Sequence, residues 1–164
     1  MKLTSQYTID INDASSIDEV AELWKKLFAM HHHLRYDVMI QPTDRDWVRR
    51  RNKLLEKAKD MLVITAKANN MLVGYLIVSV HKCDTTVGEI ESLYVLEEYR
   101  EDDIGSEMMK EAMNWLNYKG VAIQKIAVGV ENEQVIAFYN KLGFAPKSVI
   151  LEKRGDESYR SVNK

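Results

Sequence analysis

The sequence predicts an α/β protein of the α+β type, in which a mixed, mostly antiparallel sheet carries helices on both faces. Three observations predict this class. Helical periodicity follows one short strand in the first third of the chain, three β-rich runs come next, and strands then alternate with helices. Strands joined by short turns pair antiparallel, whereas a strand–helix–strand unit adds a parallel neighbour. The predicted order is β-α-α-β-β-β-α-β-α-β.

One strand and two helices are predicted first. Alternating apolar residues predict a strand over 7–11. Capping-box spacing, in which a hydroxyl residue precedes an acidic residue by three positions, predicts helix starts at Ser16 and Thr43. The segment 31–42 between these helices is expected to be a loop.

Two apolar runs separated by a pair of asparagines form the centre of the predicted sheet. The runs cover 61–68 and 71–80. Asn69 and Asn70 tolerate the positive φ that a tight hairpin turn requires. A third strand, over 87–95, follows the next loop.

The last part of the chain alternates between helix and strand. Apolar residues at helical spacing, with a glycine just after them, predict helices over 104–119 and 133–142. A strand is predicted between them, over 123–130, and a final strand over 148–151.

Composition limits the class of protein. The chain has 164 residues, 46% hydrophobic and 29% charged, as expected for one globular domain over 1–164. The net charge of −2 disfavours sequence-independent nucleic-acid binding. A single cysteine, Cys83, excludes an internal disulfide and a four-thiolate zinc site. No apolar stretch is long enough to span a bilayer and no signal-peptide region is seen, so we expect a cytoplasmic protein.

The segment 89–106 carries the first chemical signal. A strand ends there, a loop with Arg100 and Gly105 follows, and a helix begins. The N–H groups of a helix start lack intrahelical partners and lie at the positive end of the helix dipole. They suit a phosphate or pyrophosphate. Strand–loop–helix turns with one glycine are also common in purely structural roles, so this segment alone decides nothing.

Two blocks about 30 residues apart resemble the GNAT superfamily of acyl-CoA N-acyltransferases. The loop from Arg100 to Gly105 is similar to the family's Arg/Gln-x-x-Gly-x-Gly/Ala pattern. The segment 132–144 resembles the family's closing signature, through Asn132, Phe138, Tyr139, Lys141, Gly143 and Phe144. Val73-Gly74-Tyr75 is similar to its third-strand motif. The resemblance covers roughly residues 5–152, and its specific motifs lie within 72–144.

The resemblance implies an N-acetyltransferase. An acetyl group would pass from acetyl-CoA to a primary amine directly, within a ternary complex. The acceptor stays open among a small amine, a lysine and a protein N-terminus, and a homodimer is a family-level expectation. No nucleic-acid or membrane partner is expected. The alternative is a catalytically weak acyl-CoA-binding sensor or interaction module with the same fold.

The resemblance also assigns a set of residues to the acetyl-CoA site. They are Leu93, Tyr94, Val95, Arg100, Asp103, Ile104, Gly105, Ser106, Asn132 and Phe138. Asp103 stands where the family has its first motif glycine, next to Glu101 and Asp102. These carboxylates would oppose pyrophosphate binding. Alternatively, the Asp103 side chain caps the helix that begins at Ile104.

Three side chains are candidates for catalysis. An alkylamine with a pKa of about 10.4 is almost fully protonated at pH 7, so a general base would help. Glu89 matches the base glutamate of histone-acetylating members, and Glu91 lies two residues on, on the same strand face. Tyr139 matches the tyrosine that protonates the leaving thiolate in the family. The resemblance also implies that a backbone N–H near Tyr94 or Val95 stabilises the oxyanion.

Other candidates are weaker. Cys83 has no neighbouring base in sequence to support an acyl-enzyme. The run His31–His33 cannot chelate a metal because consecutive helical side chains splay about 100° apart. The resemblance places the link between the first two helices at the acceptor pocket, so it implies that this run lines that pocket. Arg51 falls on the apolar side of its helix, where it would snorkel to water or hold an acidic group of the acceptor.

Overall fold

A computed structural model describes residues 6–155, and it confirms the predicted class. Within these residues the chain forms a five-stranded mixed sheet and four α-helices. The strands are β1 (Thr8–Asn12), β2 (Ala58–Ala68), β3 (Met71–His81), β4 (Val87–Val95) and β5 (Ile123–Ile126). The α-helices are α1 (Ala21–Tyr36), α2 (Asp44–Lys57), α3 (Ile104–Tyr118) and α4 (Glu133–Lys141). Short 3₁₀ helices occupy Ala14–Val20 and Glu97–Tyr99.

The described chain divides into two compact units, with the boundary after Glu131. The first unit contains the whole sheet and α1 to α3. The second unit begins at Asn132 and contains α4. No helix within residues 6–155 is long and apolar enough to cross a membrane.

The sheet runs in chain order from β1 to β5. All neighbours pair antiparallel except β4 and β5, which are parallel because α3 crosses between them. Asn69 and Asn70 adopt φ of 51° and 60°, and this confirms the hairpin that joins β2 to β3. The strand predicted over 87–95 matches β4.

Each face of the sheet in the first unit is covered by helix. A Cβ added to Gly88 would overlap Leu116 of α3, so that face of β4 lies directly under α3. Residues of α1 and α2, among them Trp24 and Trp47, form a core cluster with Tyr75 and other β-strand residues. That cluster covers the opposite face, which we call the α1/α2 face.

The predicted helix boundaries are right at α2 and wrong around α1. Thr43 and Asp46 form the predicted capping box. By contrast, Ser16 does not start an α-helix, because the Asp13 carboxylate caps a 3₁₀ turn by accepting from the Ser15 N–H at 2.8 Å. The predicted loop 31–42 is also wrong in its first half, since α1 continues to Tyr36.

Two strand predictions need correction near the C-terminal end. The run predicted over 123–130 forms a strand only as far as Ile126, where its pairing with β4 ends. The predicted strand over 148–151 does not form in the described chain. Ile150 and Leu151 are 90% and 91% exposed. Apolar β-formers without a paired edge do not hold a strand, because strand propensity depends on cross-strand packing.

Candidate active site

The chain passes from β4 to α3 through a short loop that is held by Arg100. The Arg100 Nε donates to the Val95 carbonyl oxygen at 2.9 Å. Its guanidinium also lies over the Tyr94 ring, 5.4 Å from the centroid. The Leu96 N–H donates to the Val73 carbonyl at 2.8 Å, which ties the end of β4 to β3. One arginine therefore orders the turn that leads into α3.

The N-terminus of α3 offers unpaired backbone donors. Ile104, Gly105 and Ser106 form the first turn, whose N–H groups have no intrahelical acceptor. Asp103 occupies the N-cap position with φ of 60°, in the left-handed region, and its side chain makes no capping hydrogen bond. The capping alternative for the Asp103 side chain is therefore wrong. This helix start can receive an anion, and the Asp103 carboxylate is not engaged in capping it.

The surroundings of Tyr7 show that this end of α3 is acidic. Burial, a hydrogen bond with Glu107 and the charges of Glu107, Asp103 and Asp102 raise the pKa of the Tyr7 phenol to about 12. Burial is the largest of these causes, and the carboxylates add to it because a nearby negative charge disfavours a second one. The negative field at the α3 start extends as far as Tyr7.

Glu89 and Glu91 lie together on the α1/α2 face, joined by one lysine. The Lys57 Nζ, at the end of α2, is 2.8 Å from Glu89 Oε2 and 2.7 Å from Glu91 Oε1. The Ser79 Oγ donates to Glu91 Oε1 at 2.7 Å, and His81 Nε2 lies 2.7 Å from Glu89 Oε2. We call these five residues the Lys57 network. The two carboxylates do point to one face, as their spacing predicts, but neither is simply solvated.

Cations surround the carboxylates of the Lys57 network. The Arg50 Nη2 donates to the Glu91 carbonyl oxygen at 3.2 Å and lies 3.7 Å from Glu91 Oε2. The Lys125 Nζ lies 3.9 Å from Glu89 Oε2. The Glu91 side chain is only 2% exposed. Two carboxylates thus share three positively charged side chains, Lys57 among them, so the network is electrostatically compensated.

The pKa of Glu89 follows from this compensation. Burial by itself would raise it, but hydrogen bonds from Lys57 and His81, with the charges of Lys57 and Lys125, outweigh burial and lower it. Burial would conversely lower the pKa of Lys57, and its bonds to Glu89 and Glu91 raise it instead. Both partners are thereby held in their charged forms.

A β-bulge in β4 lies at Glu91. Ile90 pairs with Val78 and Ser92 pairs with Ile77, so Glu91 is an extra residue in β4. After the bulge the alternation of β4 is shifted by one position. Ser92 then also lies on the α1/α2 face, where its Oγ is 2.6 Å from the buried Tyr75 hydroxyl.

Ligand atoms of His81, Glu89 and Glu91 lie within 4.8 Å of one another. Such a group could hold a metal ion in isolation, but the Lys57 ammonium already lies against both carboxylates. A cation would have to displace that ammonium. The described geometry therefore favours an ion-pair network over a metal centre.

The second unit contains Tyr139 and Asn132. Tyr139 is 5% exposed, and its ring contacts Phe138 and Phe144 at centroid distances of 5.1 and 6.0 Å. Burial raises the pKa of the Tyr139 phenol, so it keeps its proton over a wide pH range. Asn132 precedes α4, and its carbonyl oxygen accepts from the Ile136 N–H at 3.1 Å. Its side chain makes no capping bond, so the amide remains available.

The weaker candidates do not converge on a site. Cys83 is exposed in the turn after β3. Arg51 neither snorkels to water nor awaits a ligand, because its guanidinium pairs with Asp18 at 3.0 and 3.1 Å. On α1, the His32 ring packs between Phe28 and Tyr36.

Sequence reasoning missed three members of the network, namely Lys57, Ser79 and His81. The last two could have been found from register, since β3 and β4 are an antiparallel pair in which Ser79 faces Glu89. Residues two apart on β3 share that face, which adds His81. Lys57 carries no such signal, because its position depends on how the end of α2 packs.

The amino-acid sequence matches a known protein family over most of its length. The model of the acetyltransferase (GNAT) family matches residues 18–144, most of the chain. The chain belongs to the GNAT acetyltransferase family. The match confirms the resemblance seen in the sequence, and it extends over both units.

A curated relative of this GNAT chain comes from Methanocaldococcus jannaschii. It is an uncharacterised N-acetyltransferase, 27% identical over 154 residues, which are 90% of this chain. The chain spans 65% of the length of that relative.

Solved GNAT structures share the fold at low identity. The aminoglycoside N-acetyltransferase AAC(6')-Iy, crystallised in complex with CoA, has a TM-score of 0.66 and 18% identity, covering 95% of this chain and 99% of its own. A soil metagenomic aminoglycoside acetyltransferase in complex with sisomicin has a TM-score of 0.60 and 13% identity, covering 91% and 95%. At such identities the likeness shows the fold.

Proposed function

We propose that this protein transfers an acetyl group from acetyl-CoA to a primary amine, directly and within a ternary complex. The observation that carries the proposal is the family match over 18–144, which includes β4, the start of α3 and α4. Because the match crosses the boundary after Glu131, we propose that both units belong to one transferase domain. AAC(6')-Iy has also been solved in complex with the bisubstrate analogue CoA-S-monomethyl-acetylneamine, which supports direct transfer.

The donor would bind along the end of β4 and at the start of α3. The first-turn N–H groups of Ile104, Gly105 and Ser106 would receive the pyrophosphate. Arg100 supports this role by ordering the loop, and its guanidinium adds positive charge there. The family resemblance adds Leu93, Tyr94, Val95, Asn132 and Phe138 to the donor site. Asp103 would weaken binding, because its carboxylate lies at the same helix start.

The acceptor amine would lose its proton at the Lys57 network. Glu89 is its most accessible carboxylate, since the Glu91 side chain is almost fully buried. The neutral amine then attacks the thioester carbonyl, and a backbone N–H near Tyr94 or Val95 stabilises the oxyanion. Glu91 would act by holding Lys57 and Ser79 in place.

The departing thiolate would take a proton from Tyr139. Burial keeps this phenol protonated, so it can donate at neutral and alkaline pH. Its ring contacts with Phe138 and Phe144 keep the side chain in place. Both properties suit a general acid.

The choice of acceptor depends on charge. The carboxylates of the Lys57 network are compensated by Lys57, Arg50 and Lys125. A polycation would gain little attraction there, so the network favours an amine of low positive charge over a polyamine or an aminoglycoside. A small monoamine or a peptide amine fits this condition.

Acetyl-CoA-dependent thiol release against a panel of amines tests the proposal. The panel contains monoamines, peptides with a lysine or a free N-terminus, and aminoglycosides. We expect turnover with at least one primary amine and a mass increase of one acetyl group on it. Tight acetyl-CoA binding in calorimetry with no turnover on any amine would favour the sensor alternative. Absence of both would overturn the proposal.

A further inference from the structure

Within the Lys57 network, the position of His81 suggests a role that neither carboxylate can fill. Glu89 is bound by Lys57 and His81, with Lys125 3.9 Å away. Those cations lower the pKa of Glu89, which makes it a weaker base. Glu91 is buried and its oxygens contact Lys57 and Ser79. Neither carboxylate is therefore a strong proton acceptor for an incoming ammonium.

The hydrogen bond between His81 and Glu89 sets the tautomer of the imidazole. An ionised carboxylate only accepts, so the His81 Nε2 must donate to Glu89 Oε2 at 2.7 Å. In the neutral ring the lone pair then lies on Nδ1, which forms no hydrogen bond with residues 6–155. The His81 side chain is 15% exposed, so water can reach it.

The charges around His81 come from several elements. They are Glu89 and Glu91 on β4, Lys57 at the end of α2, Lys125 on β5, and Asp84 in the loop after β3. Of these groups, Glu89 is the one in direct contact with the ring, at 2.7 Å from Nε2.

We propose that His81 is the proton acceptor for the acceptor ammonium, directly or through one water, and that Glu89 positions its ring. The inference rests on the proposed acetyl transfer. The ammonium N–H bond breaks and its proton passes to Nδ1 of His81. The freed lone pair forms the bond to the thioester carbonyl carbon. As the C–S bond breaks, the attacking nitrogen gives up a second proton to form the neutral amide. The thiolate takes up one proton in exchange, and the imidazolium releases the first proton to water.

The pH dependence of kcat/KM separates His81 from Glu89. The wild-type kcat/KM should fall at acid pH, because a protonated imidazole cannot accept the ammonium proton. His81→Gln should lower kcat/KM at pH 7 by roughly 100-fold and abolish this acid limb. Glu89→Gln should keep the limb and lower kcat/KM by less than His81→Gln does, because the ring loses the carboxylate that orients it.

The opposite pattern would overturn the inference. If Glu89 were the base, Glu89→Gln would abolish the limb and His81→Gln would leave it. Lys82→Gln, at the exposed neighbour of His81, is the control and should retain the wild-type profile. Unchanged acetyl-CoA affinity in calorimetry shows that each variant is folded.

A second measurement does not need turnover. NMR of the neutral His81 ring should show its proton on Nε2 in the wild type and a loss of this preference in Glu89→Gln. An unchanged tautomer would contradict the positioning role of Glu89. If the wild type acetylates no amine, the proposed function fails and the inference fails with it; if it acetylates an amine and His81→Gln does so equally fast, only the inference fails.

Discussion

Two acidic regions of the first unit contain the same kinds of side chain in different electrostatic states. In the Lys57 network, Glu89 and Glu91 are matched by nearby cations, and the pKa of Glu89 is lowered. At the start of α3, burial of Tyr7, its hydrogen bond with Glu107 and the charges of Glu107, Asp103 and Asp102 raise its pKa to about 12. In the first region carboxylates and cations form ion pairs, whereas in the second region the carboxylates create a negative potential.

This comparison shows that the electrostatic state of a carboxylate, and so what it can do, depends on the charged groups around it. The network carboxylates lie on a strand face covered by α1 and α2, where cations from α2 and β5 reach them. The α3 carboxylates lie at a loop and at the first turn of a helix. The former suit positioning and proton handling. The latter suit control of anion affinity.

The largest expected effect on activity comes from Tyr139, which belongs to neither acidic region. Tyr139→Phe keeps the ring contacts of α4 and removes only the proton donor. We expect kcat to fall ~10- to 1000-fold with little change in acetyl-CoA affinity. Steady-state kinetics and calorimetry measure the two. An unchanged kcat, in an assay limited by chemistry, would remove Tyr139 from the mechanism.

A pair of isosteric substitutions tests whether the two regions differ in stability. Glu91→Gln removes a buried charge that holds Lys57, and should lower the free energy of unfolding by about 2 to 4 kcal/mol. Asp102→Asn at the α3 start should change it by less than about 0.5 kcal/mol. Urea denaturation of both variants measures the difference. Equal losses would contradict the contrast between the regions.

The negative charge at the start of α3 should weaken the binding of acetyl-CoA. Asp103→Gly removes a charge near the proposed pyrophosphate site, and we expect acetyl-CoA to bind ~3- to 10-fold more tightly. The gain should shrink at high salt, because salt screens exposed charges. Calorimetry at two salt concentrations measures this.

The conformation of Asp103 also predicts how Asp103→Gly affects stability. Its φ of 60° suits glycine and its side chain forms no cap, so the melting temperature of Asp103→Gly should not fall appreciably. Weaker donor binding in this variant would show that Asp103 assists the site.

The pH dependence of unfolding provides the smallest and finest test. The pKa of Glu89 is lowered on folding, so its stabilising contribution is present above the unfolded value and is lost as pH falls through the folded one. The pKa of Tyr7 is raised from 10.0 to about 12, so its contribution is present below pH 10 and is lost as pH rises toward 12.

Two variants separate the loss of stability at acid pH from the loss at alkaline pH. Glu89→Gln should flatten only the acid decline in unfolding free energy, and Tyr7→Phe only the alkaline one. Denaturation at a series of pH values measures both. If Glu89→Gln changed the alkaline decline, or Tyr7→Phe the acid one, the pKa shift of that residue would have a different cause.

Local signals in the sequence were enough for most of the fold. The Asn69-Asn70 turn, the Thr43 capping box and the limits of β4 follow from neighbouring residues, because turns, caps and alternation are short-range properties. The strand predicted over 148–151 failed for the converse reason. A strand needs a partner edge, and no local pattern supplies one.

The sequence by itself determined the family, the order of elements and the presence of Glu89 and Glu91 on one strand face. Only the tertiary structure decided what those carboxylates contact. The bulge at Glu91, the reach of Lys57 from the end of α2 and the pairing of His81 with Glu89 all join residues far apart in the chain. Their charges, and the pKa of Glu89 with them, depend on distances of a few ångströms, which only packing sets.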